Sequence, residues 1–249
     1  MEPAESPFRI ILGSSSIARQ KILAEMGYEF KIMSADIDEK AIRTEKPEDL
    51  VMALAKAKAD AIVSKLQTSD DQEKDAKPSI LIASDTGGNV SHLHKLLNVG
   101  SSSQANGNPK LHIGEDKDAE PTLLITCDQV VVYEGAIREK PSGEEEARQF
   151  IKSYSGKHAA TLSSVFVTNL KTGFTKGDYD KVEIHFDEIP DDVIDKLLEE
   201  GLVLRVAGAL IIEHPLIVPC VKDVKGTTDS VMGLPKALTE KLLKEAVNA

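Results

Sequence analysis

Apolar residues follow two rhythms along this chain. Short unbroken or alternating runs, bounded by glycine, proline or charged clusters, predict strands at 8–12, 28–35, 123–126, 130–133, 160–169 and 181–186. Between them, apolar positions recur three and four apart, which predicts helices at 17–26, 47–66, 142–151 and 190–200. A last amphipathic helix carries Leu238, Leu242 and Leu243 on its inner face. The 47–66 helix is the clearest, with Leu50, Val51, Leu54, Ala55, Ala61 and Ile62 in one stripe. Lys58 falls on that same stripe, where a lysine either snorkels to the surface or points into a pocket. Strands and helices in alternation are the signature of an α/β fold. An apolar run at 206–212 is interrupted by His214 and Pro215. Ser142 and Glu145 have the spacing of a capping box for the helix that follows them.

One stretch breaks both rhythms. Residues 67–120 are rich in Ser, Gly, Asn, Asp and Lys and carry no periodicity, which predicts a long loop insertion. Inside it, KPSILIASDTGGNV parallels EPTLLITCDQVVVY at 120–133, so Asp85 lies where Asp128 lies. Twelve residues beyond Asp128 stands Lys140, followed by Pro141; twelve beyond Asp85 stands Leu97. Asp128 is therefore the better candidate of the two.

At 249 residues the chain is one large domain or two small ones. A formal net charge of −11 argues against non-specific nucleic-acid binding, and 4% aromatics argues against a base-stacking surface. Any bound nucleotide must therefore meet positive charge that is local to its pocket. The two cysteines, Cys127 and Cys220, form no CxxC or His-spaced zinc pattern. The acidic start lacks a signal peptide's basic and apolar regions, and no apolar run approaches membrane-spanning length, so a cytoplasmic protein is expected.

Candidate chemistry gathers at strand ends. The first strand runs into Gly13-Ser14-Ser15-Ser16 and then a helix, an arrangement whose free N–H groups and dipole suit a phosphate. Arg19, in the first turn, can fold back toward such an anion; equally, Ser14 or Ser16 can simply cap the helix. Asp36, Asp38 and Glu39 follow the second strand, as a cation site or as a solvated acidic turn. In TLLITCDQVVVYEGAIREKP the chain leaves the sheet at Asp128 and turns at Glu134-Gly135. It returns with Lys140, so carboxylate and ammonium can share one site.

In this order the motifs resemble the Maf family of nucleoside triphosphate pyrophosphatases. GSSSIARQKIL is similar to that family's Ser-x-Ser-x-x-Arg phosphate loop, DIDEKAI to its acidic turn and LAKAKA to its Leu-Ala-x-x-Lys-Ala helix. CDQVVVYEGAIREKP looks like its aspartate strand with Lys-Pro, and VAGAL and VMGLP like its C-terminal landmarks. YSGKH resembles its Ser-Gly-x-x-His turn, with His158 one position early. The resemblance implies a mixed, twisted sheet with flanking helices, two lobes around a cleft, and a homodimer. It implies hydrolysis between the α- and β-phosphates of a nucleoside triphosphate, with Mg²⁺ or Mn²⁺ as cofactor.

Carried onto this chain, it assigns Ser14, Ser16 and Arg19 to the phosphates, with Lys58 and Lys140 beside them. Glu39 and Asp128 become the acidic pair near the metal and the attacking water, Asp128 as base or as metal ligand. Ala18, Gln129 and Glu213 stand where the pyrimidine-specific branch has arginine, threonine and glutamine. All three point to the 7-methyl-GTP branch, whose positively charged base an arginine repels and a glutamate attracts. Leu210, Ile211, His214 and Pro215 depart from that segment's usual residues. A dTTP/UTP pyrophosphatase and a catalytically impaired regulatory protein are the alternatives.

Overall fold

The computed structural model describes residues 8–73 and 121–249. Its architecture is mixed α/β: a seven-stranded sheet in the order β2-β1-β3-β5-β6-β7, with β4 also paired to β3. The strands are β1 (Arg9–Leu12), β2 (Phe30–Ile32), β3 (Thr122–Tyr133), β4 (Ala136–Arg138), β5 (His158–Asn169), β6 (Thr175–Phe186) and β7 (Val221–Lys225). The helices are α1 (Ile17–Glu25), α2 (Pro47–Glu73), α3 (Glu144–Tyr154), α4 (Asp191–Glu200), α5 (Thr228–Val231) and α6 (Lys236–Val247). β2, β1 and β3 run parallel, and every other pairing is antiparallel. Among the described residues no helix is long and apolar enough to cross a membrane.

β3 is the axis of the fold, and its period of two decides what faces what. Leu124 packs against Ala55, Ala59 and Ile62 of α2, and Val130 against Leu50, Val51 and Leu54. Leu123, Ile125 and Cys127 turn to the opposite face, against Ile22 and Leu23 of α1 and Leu242, Leu243 and Ala246 of α6. Two buried hydroxyls lock α2 to its face: Thr126 Oγ1 donates to the Ala55 carbonyl and Ser164 Oγ to the Val51 carbonyl, each at 2.7 Å.

The structure departs from the sequence reading at four places. Residues 122–133 form one continuous strand, so Asp128 lies mid-strand and not at a strand end; β5 pairs with it from Leu123 to Val132 and leaves no break. The expected 28–35 strand contracts to Phe30–Ile32, an edge strand whose Ile32 is exposed. The capping interaction before α3 uses Glu146 instead of Glu145. Glu146 Oε2 accepts from the Ser142 amide at 2.6 Å and its hydroxyl at 2.8 Å, because Gly143 occupies the cap position. The apolar run at 206–212, which the pattern assigned to no element, holds one 3-10 turn, Ala207–Ala209, with Gly208 and Ala209 at positive φ. Of the expected insertion, 67–73 continue α2; the remainder, with Asp85, lies outside the described residues.

Candidate functional site

The site begins where β3 loses a neighbour. β1 pairs with it through Ile125, and β4 takes up the same edge only at Val131. Between those points, among the described residues, no strand lies beside 126–130 on that side, next to the carboxyl end of β1. Openings of this kind, outside the carboxyl ends of parallel strands, are where α/β sheets bind ligands.

The loop leaving β1 is shaped by Gly13. Its amide donates to the Ile125 carbonyl at 2.7 Å. A Cβ there would lie 2.6 Å from Thr126 Cγ2 and 2.7 Å from Ile62 Cδ1, so only glycine lets the loop hug the sheet. Ser16 then caps α1 by accepting from the Arg19 amide at 3.4 Å. Ser14 does something different. Its oxygen accepts from the Ser16 amide and from Arg19 Nη1, each at 3.2 Å. With both lone pairs engaged, its hydroxyl hydrogen is left to donate outward. Arg19 Nη1 also donates to the Cys127 carbonyl at 3.2 Å, and Nε to the Gly233 carbonyl at 2.9 Å.

On the α2 face, Lys58 ties the two carboxylates together. Its Nζ lies 2.7 Å from Asp128 Oδ1 and 2.9 Å from Glu39 Oε1. The lysine points into the protein, with its side chain 13% exposed. Of the three acids in the turn only Glu39 reaches it: Asp38 caps a 3-10 turn through the Lys40 amide, and Asp36 is exposed. The same ammonium leaves its two partners with opposite shifts, and burial is the reason. Asp128 is 7% exposed, and desolvation pushes its carboxyl above the ordinary value despite Lys58 and Arg19. For half-exposed Glu39 desolvation, the largest influence, also pushes upward. It is outweighed by the hydrogen bond and charge of Lys58, with Lys140 and Arg19 adding to them, and the net shift is downward. Exposed Lys140 thus belongs to the same field.

The remaining predicted residues separate. Gln129, one residue on from Asp128, faces the opposite side of the sheet. Its Nε2 donates to Ser163 Oγ at 2.8 Å and to the Ser230 and Val231 carbonyls at 3.2 and 2.7 Å. Its amide hydrogens are therefore spent on the protein. Ala18 is half-buried beside Arg19. Glu213 is exposed in a turn, and no contact among the described residues joins it to Asp128, Lys58 or Arg19. His158 opens β5, stacked on His185 with ring centroids 5.2 Å apart, in none of the contacts that build this site. The sequence reading missed the backbone acceptors at Cys127 and Gly233, the clamp at Ser163, and Arg43, which pairs with Glu139 at 3.5 Å.

Among the described residues no group of three or more His, Cys, Asp or Glu stands together as a metal cage. Two carboxylates sharing one ammonium nonetheless fit an ion of the Mg²⁺ kind, which takes one or two carboxylates and completes its shell from substrate phosphates and water.

The open edge of the α/β sheet thus lies beside a serine-arginine loop and a lysine shared between two acids. The chain belongs to the Maf-like protein family, whose pattern it matches over residues 9–246. It is 36% identical over 236 residues to a 7-methyl-GTP pyrophosphatase of Dictyostelium discoideum, covering 95% of this chain and 96% of that protein. A dTTP/UTP pyrophosphatase of Agathobacter rectalis is 27% identical over 244 residues, covering 96% of this chain and 98% of its own. A nucleoside triphosphate pyrophosphatase of Salinispora tropica is 25% identical over 239 residues, covering 96% and 84%.

Proposed function

We propose that this protein is a nucleoside triphosphate pyrophosphatase that acts by preference on 7-methyl-GTP and releases the nucleoside monophosphate and pyrophosphate. The observation that carries the reading is the Lys58 ammonium held between Asp128 and Glu39, beside the serine-arginine loop at the open edge of β3. Acid for water activation and cations for phosphoryl charge thereby adjoin one another. Ser14, Ser16 and Arg19 grip the phosphates through N–H and O–H donors aimed at one side. Lys58 and Lys140 offset charge on the phosphoryl oxygens as the α-phosphorus is attacked. Asp128 orients the attacking water and takes its proton as the α–β anhydride bond breaks; burial raises its basicity for that task. Asp128 and Glu39 would also hold a Mg²⁺ or Mn²⁺ ion, which supplies charge neutralisation to the triphosphate.

Preference for the methylated base is supported by the Dictyostelium relative's name and identity. Ala18 and Glu213 agree with it: one removes a positive charge from the base's surroundings and the other adds a negative one. The dTTP/UTP relatives favour a second reading in which pyrimidine nucleotides are the substrates. Gln129 enters either reading through its carbonyl oxygen, since its amide hydrogens already have partners. Family resemblance extends the proposal to a cytoplasmic homodimer.

The test is pyrophosphate release from 7-methyl-GTP, GTP, dTTP and UTP with added Mg²⁺ or Mn²⁺. The greatest kcat/KM is expected for 7-methyl-GTP, abolished by Asp128→Asn. Preference for dTTP and UTP selects the second reading, and no release from any nucleotide overturns both.

A further inference from the structure

The VMGLP segment near the C-terminus is left without work by the scheme above, yet its Gly233 carbonyl accepts from Arg19 Nε at 2.9 Å. We propose that Gly233 is a positioning residue, whose carbonyl fixes the Arg19 guanidinium so that only its Nη2 edge meets the incoming phosphate. The inference rests on the anion site of the proposed function, though not on its base preference.

A count of donors carries it. Arg19 spends Nε on Gly233 and both hydrogens of Nη1 on Ser14 and Cys127. Among the described residues Nη2 has no acceptor, and no carboxylate lies within ion-pair distance of the guanidinium. A half-buried cation held by three neutral acceptors, with one edge bare, is set for an anion supplied from outside.

The carbonyl is held as firmly as the group it holds. Ser163 Oγ donates to the Ser230 carbonyl at 2.7 Å, and Gln129 Nε2 donates to the Ser230 and Val231 carbonyls. Leu234 is fully buried beside them in the core. The segment is therefore strapped down on both sides of Gly233. At φ +96° the position is one that side chains rarely adopt. A Cβ there would lie 3.1 Å from Arg19 Nε and 3.3 Å from Nη2, with Gln129 Oε1 at 3.4 Å. Replacing the glycine both strains the strap and pushes on the guanidinium.

The experiment is a double-mutant cycle on the full chain with Gly233→Ala and Arg19→Lys, read by calorimetric binding of inorganic tripolyphosphate in the presence of chelator. Losing one charge-assisted contact weakens binding about tenfold in Gly233→Ala. In the Arg19→Lys background the same change has less than about a twofold effect, because its route is already gone. With nucleotide, KM rises by a similar factor while kcat holds within about twofold, as for a contact made equally in ground and transition states. Additive losses, or unchanged binding in Gly233→Ala, overturn the proposal. Should Gly233→Ala fail to fold, Ser163→Ala unties the strap without adding atoms beside Arg19 and is put through the same cycle. Wild-type protein that binds tripolyphosphate but cleaves no nucleotide sinks the hydrolase reading alone. Hydrolysis with an additive cycle sinks this inference alone, and no binding at all removes the anion site from both.

Discussion

Removing the ammonium at Lys58 tests the core of the site through stability, independent of any substrate. Lys58→Met keeps the length and apolar stem of the side chain but deletes the charge held at 2.7 Å from Asp128 and 2.9 Å from Glu39. Breaking a buried ion pair from one side costs about 3–5 kcal/mol, because the surviving charge stays desolvated. Arg19 still acts on Asp128, and the half-exposed Glu39 contributes little, so the low end, about 3 kcal/mol, applies at alkaline pH. In a chain of this size that lowers Tm by about 6–12 °C.

The pH dependence makes the prediction specific. Asp128 has a folded pKa above its ordinary 3.8, so its charged form is a penalty that grows as pH rises from 3.8 through the folded value. Lys58 opposes that shift, and its removal raises the folded pKa further. Glu39 is shifted the other way, and the stability it contributes above its ordinary 4.5 also depends on Lys58. Both terms have one sign: the gap between wild type and Lys58→Met is smallest at acid pH, below the lowered Glu39 value, and widens to its largest near pH 8. Thermal melts followed by circular dichroism across that range read it directly. Lys58→Met/Asp128→Asn should recover most of the loss, since the only carboxylate left without the ammonium is then the half-exposed Glu39. A gap that is flat or shrinks with rising pH would refute the idea that Lys58 and Asp128 are coupled through burial.

Two further outcomes follow from the same packing. Gly13→Ala forces a methyl to 2.6 Å from Thr126 Cγ2 and 2.7 Å from Ile62 Cδ1, so a loss of about 1–3 kcal/mol is expected in denaturant melts, with weakened tripolyphosphate binding. Cys127 is fully buried, and desolvation lifts its thiol to about 11. It should resist iodoacetamide at pH 8 until the chain is unfolded, as mass spectrometry of the intact protein would report.

The sequence carried the composition of the site better than its geometry. Ser14, Arg19, Glu39, Lys58 and Asp128 were all legible as residue types at motif spacing, and the structure brings them together. What it did not reveal were partners that are backbone: the Cys127 and Gly233 carbonyls orient Arg19 with no side-chain signature to find. The instructive error is at Asp128. An aspartate is a poor strand residue, so reading a break there follows propensity. The chain instead runs straight through it from Thr122 to Tyr133, because Lys58 satisfies the carboxylate on the α2 face and Ser164 Oγ accepts from the Asp128 amide at 3.2 Å. Continuity has a consequence that a broken strand hides. With a period of two, Asp128 and Gln129 must point to opposite faces. The carboxylate goes to Lys58, and the amide to Ser163 and the Ser230 and Val231 carbonyls. One strand thereby anchors α2 on one face and the 230–231 backbone on the other through consecutive residues.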